Sequence, residues 1–130
     1  MINIFLLEDH TFYRQAFAFL LEREENLKVV AQAGSLEESR RATSHIWPEV
    51  DIAIIDLLLP DGSGTELIHE MREVNPNVQV LAITVAQEAK TLREAREMGV
   101  DEVISKAAPM EGILCTVRRL TANQPAAIGR

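Results

Sequence analysis

Polar side chains stand where the short apolar runs of this sequence end. Glu8 and Asp9 follow the run from Ile2 to Leu7, Asp56 follows Ala53-Ile54-Ile55, Thr84 ends Val78 to Thr84, and Lys106 follows Val100 to Ser105. Three carboxylates brought together repel one another unless a cation joins them. A hard divalent ion suits such a set. Mg2+ takes one or two carboxylates, keeps water, and accepts phosphate oxygens as further ligands. A carboxylate can also attack a phosphoryl group and form an aspartyl phosphate. The charge on the transferred group must then be offset, partly by metal and partly by a movable ammonium such as Lys106. The Thr84 hydroxyl can donate one more hydrogen bond to a phosphoryl oxygen.

Each of these residues also has a plainer reading. Asp9 alone would be a helix cap more often than a ligand. A single lysine near a strand end is usually just solvated, and Thr84 alone is an ordinary β-former. Asp56 is harder to dismiss, because three leucines follow it and an apolar run precedes it. A carboxylate in such a run needs a partner or a role.

The elements that would position this set alternate. Strands are expected at Ile2 to Leu7, Leu27 to Ala31, within Asp51 to Leu59, at Val78 to Thr84 and at Val100 to Ser105. Between them lie helical stripes. Tyr13, Ala16, Phe17, Leu20 and Leu21 form the first. Ser35 with Glu38 has the form of a capping box for the second, which should end before Pro48. Pro60-Asp61-Gly62-Ser63-Gly64 reads as a loop, and Leu67, Ile68 and Met71 as a third helix stopped by Asn75-Pro76-Asn77. Glu88 to Met98 is a fourth, with Gly99 as its stop. Met110, Ile113, Leu114, Val117 and Leu120 mark the last.

Five strands alternating with five helices predict a doubly wound α/β fold, a parallel sheet covered on both faces. Right-handed crossovers put every strand-to-helix loop at one edge, where ligands of open α/β sheets bind. Glu8, Asp9, Asp56, Thr84 and Lys106 should therefore meet there.

The chain as a whole bounds the rest. Its 130 residues suit one domain, 1–120, followed by a linker-like tail, 121–130, rich in Ala, Pro, Gln, Asn and Gly. A net charge of −7 argues against direct nucleic-acid binding. No apolar run approaches a membrane span, and the N-terminus reads as a strand, not a signal peptide. The single cysteine, Cys115, rules out an internal disulfide, suits a reducing cytoplasm, and is expected in the core of the last helix. Phe12 and Phe19 are expected to be core on spacing, the alternative being an exposed patch for a partner.

Taken together, Leu7-Glu8-Asp9-His10, Ile54-Ile55-Asp56-Leu57, Pro60-Asp61-Gly62-Ser63-Gly64, Ile83-Thr84 and Ser105-Lys106 resemble the receiver domain of a two-component response regulator. The resemblance runs from Ile2 to about Leu120 and implies the flavodoxin-like strand order 2-1-3-4-5. It implies that Asp56 accepts phosphate from a histidine kinase. It implies magnesium on Asp9 and Asp56, on Glu8 mainly through water, and on the backbone carbonyl of Leu58. Thr84 and Lys106 would bind the phosphoryl group. Such a domain assists its own phosphoryl transfer and is not an enzyme acting on a separate substrate. Glu8-Asp9-His10 and Lys106-Ala107-Ala108-Pro109 are similar to the subfamily that carries a C-terminal LuxR-type helix-turn-helix, a DNA-binding domain that this chain would lack. In that subfamily the first and last helices are plausible dimer surfaces.

Some features depart from the family pattern. Val103 stands where receivers usually have Tyr or Phe, and Val85 where many have Ala or Gly, so the switching motion is expected to differ. The family often has a cis peptide after the lysine, here Lys106-Ala107. A non-proline cis bond costs about 3 kcal/mol, so it is expected only if the site enforces it. Two other functions compete. One is a pseudo-receiver that binds partners without taking phosphate. The other is a small flavodoxin-like enzyme or cofactor carrier, which lacks a Gly-rich phosphate loop after the first strand. His10, His45 and His69 share no ligand spacing and read as surface or locally bonded residues.

Overall fold

Successive side chains of a strand leave the sheet on opposite faces, so a strand apolar at every position must be covered on both. The computed structural model, which describes residues 1–85 and 88–122, has this arrangement. The strands are β1 (Ile2–Leu7), β2 (Leu27–Ala33), β3 (Ile52–Asp56), β4 (Gln79–Thr84) and β5 (Glu102–Ser105). They form one parallel sheet in the order β2-β1-β3-β4-β5. Helices α1 (Thr11–Glu22) and α5 (Met110–Thr121) cover one face, where Phe17, Leu21, Ile113 and Val117 pack on Ile4, Leu6, Ile54 and Leu81. The opposite face packs Phe5, Leu7, Ile55 and Val80 against α2 (starting Leu36–Glu38), α3 (Gly64–Val74) and α4 (Ala89–Glu97).

The second helix departs from the expected one. After Leu36–Glu38 the chain winds as a π turn, Ser39–Thr43, and then as a 3-10 turn, Ser44–Glu49. Pro48 lies inside that turn instead of beyond the helix. Buried Trp47 anchors it, its indole N–H donating to Thr43 Oγ1 at 3.1 Å. Asn75 Nδ2 donates to the carbonyls of Trp47 and Val50, at 2.9 and 2.8 Å. These contacts outweigh the local preference before proline. Ser35 accepts from the Glu38 N–H as expected, but Glu38 Oε1 reaches back to the N–H of Gly34, not of Ser35. Asp61 takes up two further N–H groups, those of Leu36 and Glu37.

Further corrections concern single residues. Within the expected loop 60–64, Gly62–Ser63 pairs antiparallel with Leu58–Leu59. Cys115 is exposed, because it lies about 200° around α5 from buried Ile113. Phe12 and Phe19 are 78% and 64% exposed and belong to neither core. The Lys106-Ala107 peptide is trans. The tail expected over 121–130 falls, from residue 123 on, outside the described residues, while Thr121 still belongs to α5. Among the described residues no helix is long and apolar enough to cross a membrane.

Candidate functional site at the carboxyl edge of the sheet

Register aligns the strand ends. Leu7 pairs with Ile55, Asp56 with Ile83, and Thr84 with Ser105. Glu8, Asp56, Thr84 and Lys106 therefore meet at one edge. The N-terminus of α3 closes in beneath them. Gly64 donates its N–H to the carbonyl of Leu57 at 3.0 Å, and a Cβ on Gly64 would stand 2.3 Å from the Asp56 carbonyl oxygen. Only glycine admits that approach.

Asp56 is 2% exposed. Its Oδ1 accepts from the Leu58 N–H at 3.0 Å, and its Oδ2 lies 3.4 Å from Lys106 Nζ. Glu8 is fully buried, with Oε2 accepting from the His10 N–H at 2.8 Å and Oε1 2.7 Å from Lys106 Nζ. That second contact is an ion pair without hydrogen-bond alignment, so among the described residues the buried Glu8 Oε1 has no aligned donor. Asp9 is exposed and does not cap α1. His10 does so instead, its Nδ1 accepting from the Tyr13 N–H at 3.2 Å. Thr84 is buried, and the Lys106 N–H donates to its carbonyl at 3.0 Å.

Burial is the largest influence on Asp56. With the Glu8 charge it raises the carboxyl pKa to about 6, against the opposing pull of the Leu58 N–H and Lys106. Burial opposes the Lys106 ammonium too, but Glu8 and Asp56 outweigh it and hold that pKa above the ordinary lysine value. The ammonium thus faces two carboxylates, Glu8 and Asp56, and Asp9 stands beside them. Oxygens of Glu8, Asp9 and Asp56 can be chosen that all lie within 4.8 Å of one another. All three are hard donors, and among the described residues no aligned N–H or O–H satisfies Glu8 Oε1. Magnesium fits such a set.

The receiver domain profile of the response regulators matches residues 4–118. The chain belongs to the response regulator receiver domain family. The receiver is 27% identical to response regulator GacA of Pseudomonas syringae over 124 residues, 95% of this chain and 57% of that protein. It is 30% identical to the DNA-binding transcriptional activator DevR/DosR of Mycobacterium tuberculosis over 106 residues, 82% of this chain and 48% of that protein. The chain therefore spans about half the length of the curated relatives it matches. A CheY-like receiver from Methanospirillum hungatei superposes with a TM-score of 0.82 at 19% identity, covering 98% of both chains, which shows the shared fold. A LuxR-family regulator from Aurantimonas superposes at 0.79 with 25% identity, covering 95% of this chain and 90% of that one. The receiver is thus part of a two-component system and similar to regulators of the LuxR type.

Glu8, Asp9, Asp56 and Lys106 come together and Thr84 ends the neighbouring strand, while Leu58, expected to offer its carbonyl, meets Asp56 through its backbone N–H. Of the two positions that depart from the family pattern, Val85 is 60% exposed and Val103 is half-buried opposite Ala82 of β4. One neighbour was missed. Tyr13 reads as part of the first core stripe, yet its ring lies 4.8 Å from Lys106 Nζ. Its place in the first turn of α1, just after the end of β1 that carries Glu8, was the available signal.

Proposed function

We propose that this receiver accepts a phosphoryl group from a histidine kinase on Asp56, with magnesium, and that phosphorylation changes a partner surface. The observation that carries this reading is the environment of Asp56. A nearly fully buried carboxylate has one oxygen held by a backbone N–H and the other turned to Lys106.

An Asp56 oxygen attacks the phosphorus, an acyl–phosphate bond forms, and the P–N bond to the kinase imidazole breaks with its electron pair returning to the imidazole. The Leu58 N–H fixes the carboxylate plane. Lys106 follows the charge that moves onto the phosphoryl oxygens, and the Thr84 hydroxyl donates to one of them. Glu8, Asp9, Asp56 and the Leu58 carbonyl would hold the magnesium ion, which when bound offsets charge on the phosphoryl oxygens. The domain assists its own phosphorylation and dephosphorylation and acts on no separate substrate.

The half-length match and the LuxR-type relatives support a cytoplasmic transcriptional regulator in which a DNA-binding domain follows the receiver, with no direct nucleic-acid contact by the receiver itself. The exposed rings of Phe12 and Phe19 support homodimerisation through α1. The acceptor test is intact mass after incubation with magnesium and acetyl phosphate, beside Asp56→Asn. Gain of one phosphoryl group by the wild type alone is expected. No gain, with acetyl phosphate or with candidate kinases, would leave a protein-interaction module that takes no phosphate.

A further inference from the structure

Lys106 must be near Asp56 when the phosphoryl group arrives, yet its stem is a flexible four-carbon chain. Two of its contacts are carboxylates, Glu8 at 2.7 Å and Asp56 at 3.4 Å. A divalent ion on those same carboxylates places positive charge beside the ammonium and weakens both contacts. A further contact among the described residues is of another kind. The ammonium lies 4.8 Å from the centroid of the Tyr13 ring, within reach of the ring's negative face. A ring carries no full charge for a metal to take.

The ring is itself held. It meets Phe17 edge-on, with centroids 6.1 Å apart and planes at 83°, and Phe17 is fully buried. The Lys106 side chain is only 14% exposed, so little water competes for its ammonium. We propose that Tyr13 is a positioning residue for Lys106, its ring keeping the ammonium beside Asp56 when magnesium occupies the carboxylates. This rests on the reading of Asp56 as phosphoryl acceptor.

Two variants separate ring from hydroxyl. Tyr13→Phe keeps the ring, and Tyr13→Leu removes it while leaving an apolar side chain of helical preference. The first readout is lysine side-chain NMR with Mg2+ present. The chain has three lysines, Lys28, Lys90 and Lys106, so assignment is direct. The Lys106 ε-methylene should be shielded and restricted in the wild type and Tyr13→Phe, and as mobile as that of Lys28 in Tyr13→Leu. The second is the phosphorylation rate with saturating Mg2+ and acetyl phosphate. It should be unchanged in Tyr13→Phe and fall roughly twofold to tenfold in Tyr13→Leu, the size of a partly desolvated cation–π contact. Lys106 still restricted in Tyr13→Leu, an unchanged rate in that variant, or equal losses in both variants would overturn the proposal. A wild type that takes no phosphate would instead overturn the acceptor reading, and the NMR mobility alone would then decide whether the ring holds Lys106.

Discussion

Lys106 Nζ stands 2.7 Å from Glu8 Oε1 and 3.4 Å from Asp56 Oδ2, and this ammonium cannot balance the cluster that those two carboxylates form with Asp9. The residual negative charge should draw magnesium. At ten times its Kd a ligand specific to the folded state stabilises by about 1.4 kcal/mol, or roughly 4–7 °C for a domain of this size. Thermal melts with increasing Mg2+ should show that rise. Glu8→Gln should blunt it. A melting temperature indifferent to Mg2+ would mean that the carboxylates form no metal site.

Burial of Asp56 has a pH signature. The folded chain holds the Asp56 proton up to about pH 6, whereas the unfolded chain releases it near pH 3.9. The folded state therefore binds more protons between those values. The resulting stability is fully present below about pH 4 and is lost as pH rises through about 6. Asparagine does not titrate. In EDTA, the wild type should fall behind Asp56→Asn by a few degrees as pH rises from about 5 to 7.5. A gap that stays flat, or a variant that melts lower at neutral pH, would mean that the carboxylate is well satisfied without metal.

The same substitution at two glycines should act in opposite directions. Gly64→Ala would drive a Cβ to 2.3 Å from the Asp56 carbonyl oxygen, so backbone must move at the site itself. The expected loss is about 1–3 kcal/mol in urea unfolding, together with slower phosphorylation. Gly112, in the first turn of α5, has nothing among the described residues within 4 Å of its Cβ position. Gly112→Ala should gain up to about 1 kcal/mol from helix propensity alone. Equal effects at the two sites would remove the close-approach argument for Gly64.

The exposure of Cys115 is directly measurable. In native buffer its thiol should react with Ellman's reagent about as fast as in denaturant, because it lies on the outer side of α5 beside Arg118 and Arg119. A thiol that reacts only on unfolding would put it back in the core.

The site was legible in the sequence because its parts obey strong rules. A carboxylate inside Ala53 to Leu59 demands a role, and alternating strands and helices carry every strand end to one edge. What escaped reading depends on rotation and on contacts distant in sequence. Cys115 is close in sequence to Ile113 and Leu114, yet the helix turns it outward. The Pro48 turn is held by Asn75, 27 residues later, which no local preference reveals. Tyr13 was read by period alone, although the first turn of a helix following a strand end borders the site as well as the core.

The two misplaced rings of α1 lead to the last expectation. Phe12 and Phe19 are seven residues apart, about 20° from alignment after two helical turns, so they form one line along the helix. Phe17, five residues after Phe12, points into the core instead. At 78% and 64% exposure the rings leave an apolar strip in water, flanked by Arg23 6.0 Å over the Phe19 ring. Covering two such rings recovers roughly 1.5–3 kcal/mol for each that becomes fully buried. If a second copy covers them, Phe19→Ala should weaken self-association several-fold in sedimentation velocity. A sedimentation profile identical to the wild type across the concentration range would show that the strip is not the contact between copies.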